Sequence, residues 1–382
     1  MITVSGTGLY LHLPWCERKC PYCDFNSHVS EQKQLPEQEM IAAMLADLDD
    51  DIETYGARAI TSIFIGGGTP SLLSVSAIDT LLGGIDQRLS LRDGIEITME
   101  ANPGSSEFAK FKGYQSAGVN RLSIGVQSFD DMKLHQLGRV HSSGEARAAI
   151  KAAQNTGFDR INIDLMYGLP EQTIAQALAD LSAALAFDTG HISWYQLTIE
   201  PNTVFYSQPP ILPDDDYTAD IADAGERLLH ERGYQRYEVS AYAKPQQQCQ
   251  HNLNYWQFGD YYGIGAGAHG KLSSSESVVR TAKQRMPERY MTPRHNGRKA
   301  LVRSLDPASL KAEFMLNALR LRDGVPATLY PVTTGRPMTD IMPEWTQLIQ
   351  EELMAPSTTQ LVTTDLGWRF LNTVIARFLD DQ

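Results

Sequence analysis

A chain of 382 residues with a formal net charge of -13 can bury a large core and suggests two or three domains. The acidity argues against non-specific nucleic-acid binding, which needs clustered Lys and Arg, and four cysteines in this length are no disulfide scaffold. Residues 1–8 lack the basic and apolar regions of a signal peptide, and no run reaches the roughly 18–20 apolar residues of a membrane span, so the expected location is the cytoplasm.

Residues 8–13 read as a first strand. It runs into a loop with cysteines at Cys16, Cys20 and Cys23, spaced C-x3-C-x2-C. Thiolates suit iron–sulfur clusters, zinc and Cu(I). Zinc would need a fourth ligand such as His12 or His28, and the uneven spacing does not match paired C-x2-C zinc sites. The remaining cysteine, Cys249, is more than 200 residues away. The simplest reading is a [4Fe–4S] cluster held by Cys16, Cys20 and Cys23, with one iron open to a non-protein ligand.

Beyond the loop, apolar spacing predicts a helix over 35–55 and a β-branched strand over 61–65, ending in Gly66, Gly67, Gly68, Thr69 and Pro70. The alternation continues with helix 76–89, strand 95–100, helix 105–117 and strand 121–126. Helices start at Asp130 and Ser142, and strand 160–166, helix 173–187 and strand 191–197 follow. These six βα-type units imply a parallel sheet with helices outside. Cys16, Gly68, Glu100, Gln127 and Asp164 all fall near strand C-terminal ends. An open doubly wound sheet gathers ligands at one switch point, whereas a barrel uses the ends of several strands. The fold class expected is therefore α/β, a partial TIM-like (β/α)6 barrel.

Past Pro201 the pattern changes. A helix runs from the 213–216 turn to about Arg232, 237–242 alternates like a strand, and 249–256 carries H-N-x-x-Y-W in a loop. A glycine-rich stretch at 263–270 and polar residues 273–298, read as loops and short elements, lead to a helical tail from Lys311. Within that tail, 361–374 reads as strand, turn and amphipathic helix, resembling a winged-helix-like module. Expected domains are a barrel over 1–235, an extension over 236–300 and a small C-terminal α/β domain over 301–382.

The glycine loop lets backbone groups approach a ligand and lacks the Lys-Ser/Thr of a P-loop. Glu100 and Asp164 suit a ribose diol or an ammonium, and Arg139 a carboxylate; helix capping is the competing role. His251 is either a metal ligand or a loop hydrogen-bonding residue.

The cysteine spacing, with Tyr22 before the last cysteine, resembles the radical SAM superfamily. There S-adenosylmethionine chelates the open iron, and an electron from the cluster cleaves its sulfonium. Gly66 to Ser71, Glu100 to Gly104, Gly125 to Phe129, Gly138-Arg139 and Asn162 to Pro170 further resemble the oxygen-independent coproporphyrinogen dehydrogenase (HemN) family, over nearly the whole chain. The resemblance implies that Tyr10, Tyr22, Gly68, Thr69, Glu100, Gln127, Arg139 and Asp164 line the S-adenosylmethionine pocket. Two features depart from the dehydrogenases: Phe25 stands where they carry a further cysteine, and their longer N-terminal cover has no counterpart before the first strand. Residues 23–28 and the stretch His251 to Trp256 instead resemble the haem-chaperone branch of the family. That branch implies haem as cargo, with His251 as an axial-ligand candidate and a haem-acceptor protein as partner. An electron donor is needed if the cluster turns over, and a homodimer is compatible with the branch. The runner-up function is radical decarboxylation of coproporphyrinogen III, and a third is radical chemistry on another substrate.

Overall fold

Strand β1 (Thr7–Leu13) is buried along nearly its whole length, as a parallel strand covered on both faces must be. In the computed structural model, which describes residues 2, 6–29, 34–292 and 297–379, it lies near the middle of a 12-stranded sheet. The reading of residues 1–8 falls partly outside the described residues.

Five more parallel strands follow in chain order: β2 (Ile60–Gly67), β3 (Leu91–Ala101), β4 (Arg121–Gln127), β5 (Arg160–Tyr167) and β6 (Gly190–Gln196). Each pairs with its predecessor, which brings their C-terminal ends to one rim. Covering helices include α1 (Glu37–Tyr55), α2 (Val75–Asp86), α3 (Ser143–Thr156), α4 (Ile174–Leu185) and α5 (Asp215–Glu231). Their starts are set by side-chain caps: Ser142 with Glu145 and Thr173 with Gln176 form capping boxes. α5 sits flush on β6 because Gly225 has no side chain; a Cβ there would lie 1.9 Å from Trp194.

At the β6 edge, the strand expected over 237–242 is two short strands, β7 (Gln235–Glu238) and β8 (Ala241–Ala243), and β8 runs antiparallel to β6. The H-N-x-x-Y-W stretch, expected as a loop, is helix α6 (Gln250–Trp256). The other edge holds the larger correction. The polar region read as loops and short elements contains β11 (Val278–Lys283), which joins β9 (Asp260–Gly265), β10 (His269–Ser273) and β12 (Lys299–Ser304) in extending the sheet past β1. β9 is parallel to β1, and the later strands are antiparallel. The glycine-rich sequence permits this: a Cβ at Gly263 would lie 1.9 Å from the His269 carbonyl oxygen.

Lysines disguised these strands. Lys283 is 1% exposed, 2.5 Å from Asp47 and 2.8 Å from Asp51 of α1. Lys271 is equally buried, 2.7 Å from Asp260. Buried charges persist when paired in this way, and a sequence pattern reads them as surface. Among the described residues the two ends of the sheet do not pair with one another, so the barrel is partial.

The tail packs a second apolar cluster around Phe314, Trp345 and Phe378, drawn from α7 (Pro307–Ala318), α8 (Met342–Gln350) and the final turns. The single helix expected at its end is two, Asp365–Arg369 and Leu371–Ala376, separated at Phe370.

Candidate functional site

The rim of the parallel strands carries the chemistry. After β1 the chain turns through Pro14, and Trp15–Cys16 forms a short parallel ladder with His28–Val29, which closes the cysteine loop at its base. Inside it the Cys23 N–H donates to the Cys20 carbonyl at 3.1 Å. Cys16, Cys20 and Cys23 are free thiols lining one wall of a cavity of about 390 Å³. Thr69 Oγ1 donates to Cys16 Sγ at 3.5 Å, and Arg139 Nη1 to Cys20 Sγ at 3.6 Å. Three thiols with hydroxyl and guanidinium donors aimed at sulfur suit an anionic iron–sulfur cluster bound as thiolates. Cys249 is elsewhere, buried 3.4 Å from Glu96.

The glycine loop is stapled to the cysteine loop. The Gly68 N–H donates to the Leu13 carbonyl at 2.7 Å, and the Thr69 N–H to that of Trp15 at 2.8 Å. A Cβ at Gly68 would approach the Trp15 oxygen to 2.5 Å, so this contact requires glycine. The Gly67 N–H, at φ 115°, donates to Glu100 Oε2 at 3.1 Å.

Glu100 and Asp164 face the same cavity from β3 and β5. Burial, reinforced by the Asp164 charge, pushes the Glu100 carboxyl up to about 8. Asp164 accepts from the Ser123 hydroxyl at 2.8 Å and the Asn162 amide at 2.7 Å. Arg139 Nη2 is held 2.8 Å from both Asn102 Oδ1 and the Gly125 carbonyl, while its Nε is buried without a partner among the described residues. Gln127 sits at φ 68° where β4 ends and accepts from the Tyr195 hydroxyl at 2.7 Å.

Seven of the eight residues expected around S-adenosylmethionine thus share one cavity wall-to-wall: Tyr22, Gly68, Thr69, Glu100, Gln127, Arg139 and Asp164. Tyr10 instead faces a neighbouring cavity. Its hydroxyl donates to His12 Nδ1 at 2.7 Å, because His12 Nε2–H is committed to the Asn26 carbonyl at 2.9 Å. Tyr195, at the end of β6, also lines the first cavity. Sequence reasoning missed it, although applying the strand-end rule to the sixth strand would have found it.

The second cavity, of about 890 Å³, adjoins the first: Asp24, Phe25, Gly67 and Glu100 line both. Aromatic rings of Tyr10, Phe64, Tyr255, Trp256 and Tyr261 face it. His251 does not. It is 7% exposed and lines a cavity of about 140 Å³ behind Phe64. Its Nδ1 is 2.9 Å from Cys249 Sγ and 3.5 Å from Glu96 Oε1. Burial opposes the Glu96 charge, but the His251 hydrogen bond and the Arg121 guanidinium outweigh it and hold the carboxyl well below the usual range. Carboxylate, thiol and imidazole come within 4.8 Å of one another here. The Arg121 cation 3.1 Å from Glu96 already neutralises the group, which disfavours a metal ion.

Residues 10–183 match the Radical SAM superfamily and residues 305–370 the HemN C-terminal domain. The chain is 47% identical to the Heme chaperone HemW of Escherichia coli (strain K12) over 380 residues, covering 99% of this chain and 100% of that protein. It is 45% identical to the Heme chaperone HemW of Haemophilus influenzae, covering 98% of each. Among solved structures, the coproporphyrinogen III oxidase HemN of Escherichia coli, a radical SAM enzyme, matches with a TM-score of 0.82 at 20% identity, over 98% of this chain and 90% of that one. At that identity the likeness shows the fold.

Proposed function

This chain belongs to the HemW family within the radical SAM superfamily, and from that membership we propose that it is a haem chaperone, binding haem and passing it to acceptor proteins. The observation that carries the reading is the pair of adjoining cavities, one walled by three thiols and one lined by aromatic rings and large enough for a macrocycle.

Cys16, Cys20 and Cys23 would hold a [4Fe–4S] cluster, and Tyr22, Gly68, Thr69, Glu100, Gln127, Arg139 and Asp164 would surround S-adenosylmethionine, with Tyr10 at its margin. When bound, the cluster supplies a low-potential electron to the sulfonium. The chain's own part is positioning. Arg139 offers a fixed guanidinium to a carboxylate, Asp164 accepts from hydroxyls or an ammonium, and Glu100, protonated at neutral pH, donates one hydrogen bond. An electron donor is the partner that turnover would require, and a second copy of the chain is a further proposed partner. The proposed compartment is the cytoplasm, where thiols stay reduced. Among the described residues no helix is long and apolar enough to cross a membrane.

For the iron's axial ligand the H-N-x-x-Y-W motif nominates His251. Its ring would face the larger cavity only after Phe64 turns aside; His269, which opens directly on that cavity, is the second choice. Decarboxylation of coproporphyrinogen III is not part of the proposal. Phe25, 58% exposed where the two cavities meet, occupies the position of the dehydrogenases' additional cysteine. Haem uptake and coproporphyrinogen III turnover, assayed side by side on anaerobically reconstituted protein, test this: a Soret band without decarboxylated product is expected. Product above the no-enzyme control, or no haem uptake, would reverse it.

A further inference from the structure

The larger cavity has two unlike sets of lining residues. One part of its lining is rings: Phe64 and Tyr10 stack with centroids 5.9 Å apart, and Tyr255 meets Tyr261 edge-on at 4.8 Å. Another part comes from β10 and β11, which continue the same sheet beyond β9. Their register sets Lys271 opposite Arg280 and His269 opposite Ala282, and all four line the cavity. Arg285, just past β11, completes this cationic side.

The cations are not equivalent. Lys271 and Lys283 are saturated by buried aspartates. Arg280 is 2.6 Å from Glu313 and donates to the Tyr261 hydroxyl at 2.7 Å, but Glu313 is shared with Arg303 at 3.3 Å, leaving one carboxylate between two guanidiniums. Arg285 is exposed. Its Nε reaches only the neutral Asn26 Oδ1, at 3.3 Å, and no carboxylate pairs with it among the described residues. The carboxyls lining the cavity itself are Asp24, at the boundary with the first cavity, and Glu100, which is protonated at neutral pH.

An apolar, ring-lined body with under-neutralised guanidiniums along one side fits a flat macrocycle bearing anionic groups on one edge. Resting on the haem reading above, we propose that haem sits in this cavity with its propionates turned toward Arg285 and Arg280, Arg285 being the main anchor. Guanidiniums bind carboxylates in a directional fork, so these two residues would set which way round the macrocycle enters. The fused boundary at Phe25 and Glu100 places the seat directly against the proposed S-adenosylmethionine pocket.

Arg285 is exposed, so replacing it does not threaten folding. The test compares haem with its propionate dimethyl ester by Soret titration of the full-length reduced protein, in the parent and in Arg285→Glu and Arg285→Lys. Expected is an affinity for haem about tenfold weaker in Arg285→Glu, as for loss of one partly exposed charge pair. Arg285→Lys should recover most of it, and the diester should bind all three chains alike. Arg285→Glu binding haem as the parent does, or losing haem and diester equally, would overturn this orientation while leaving the haem reading intact. A parent chain that takes up neither haem nor diester would overturn the haem reading itself.

Discussion

The Phe64 ring stacks on the His251 imidazole with centroids 4.1 Å apart and planes 14° from parallel. Phe64 lines both the large aromatic cavity and the small polar one that contains His251, so its ring, together with the Glu100 side chain that lines both, separates them. If His251 ligates haem iron, Phe64 must leave that stack. In Phe64→Ala the imidazole is open to the larger cavity, and adding His251→Ala should then shift the Soret band strongly. An unshifted band in the double variant assigns the iron to another residue, and His269→Ala is the next spectrum to record.

The cluster prediction separates four cysteines. Cys16→Ser, Cys20→Ser and Cys23→Ser should each abolish iron uptake, because all three thiols share one cavity wall. Cys249→Ser should retain about four irons per chain, since that thiol is engaged with His251 and Glu96 instead. Iron and sulfide analysis after anaerobic reconstitution decides it. Stoichiometric zinc with no iron uptake would contradict the assignment.

Glu100 predicts a pH dependence of stability in the ligand-free chain. Burial first, and Asp164 second, lift its carboxyl from the ordinary 4.5 to about 8. The folded state therefore keeps a proton that the unfolded state has already lost. The stability contributed is fully present below about 4.5 and is lost as the pH rises through about 8. Glu100→Gln carries no titrating proton, so urea midpoints for that variant should fall less steeply than the parent's between those limits. Parallel curves would contradict this environment for Glu100.

Lys283 ties the sheet extension to α1 through Asp47 and Asp51. Lys283→Met should cost about 3–5 kcal/mol, because it leaves buried carboxylates without their main cation. Chemical denaturation measures it. A loss below about 1 kcal/mol would mean that water or Lys299, 3.0 Å from Asp51, supplies the compensation.

Much of the barrel was legible because parallel strands and amphipathic helices impose distinct periods, and because functional groups collect at strand ends. Cys16, Gly68, Glu100 and Asp164 were placed at one rim by that reasoning alone. What escaped it depends on long-range pairing. The polar stretch around Lys283 hid a sheet strand, because the aspartates that bury that lysine lie on a distant helix. Tyr10 follows the strand alternation, but its hydroxyl is drawn to His12 and so to the second cavity. The H-N-x-x-Y-W stretch was read as a loop with His251 as the axial-ligand candidate, yet Glu96, 155 residues away, holds the imidazole on the far side of Phe64.

As a chaperone the chain should hold haem firmly enough to carry it and loosely enough to give it up. Reduced, anaerobically purified protein loaded with haem and mixed with excess apomyoglobin tests both halves in one trace. The expected result is about one haem per chain at the start, with a distinct Soret band that decays as the myoglobin band rises. No Soret band on loading, or bound haem that never reaches apomyoglobin, would contradict the haem-chaperone function.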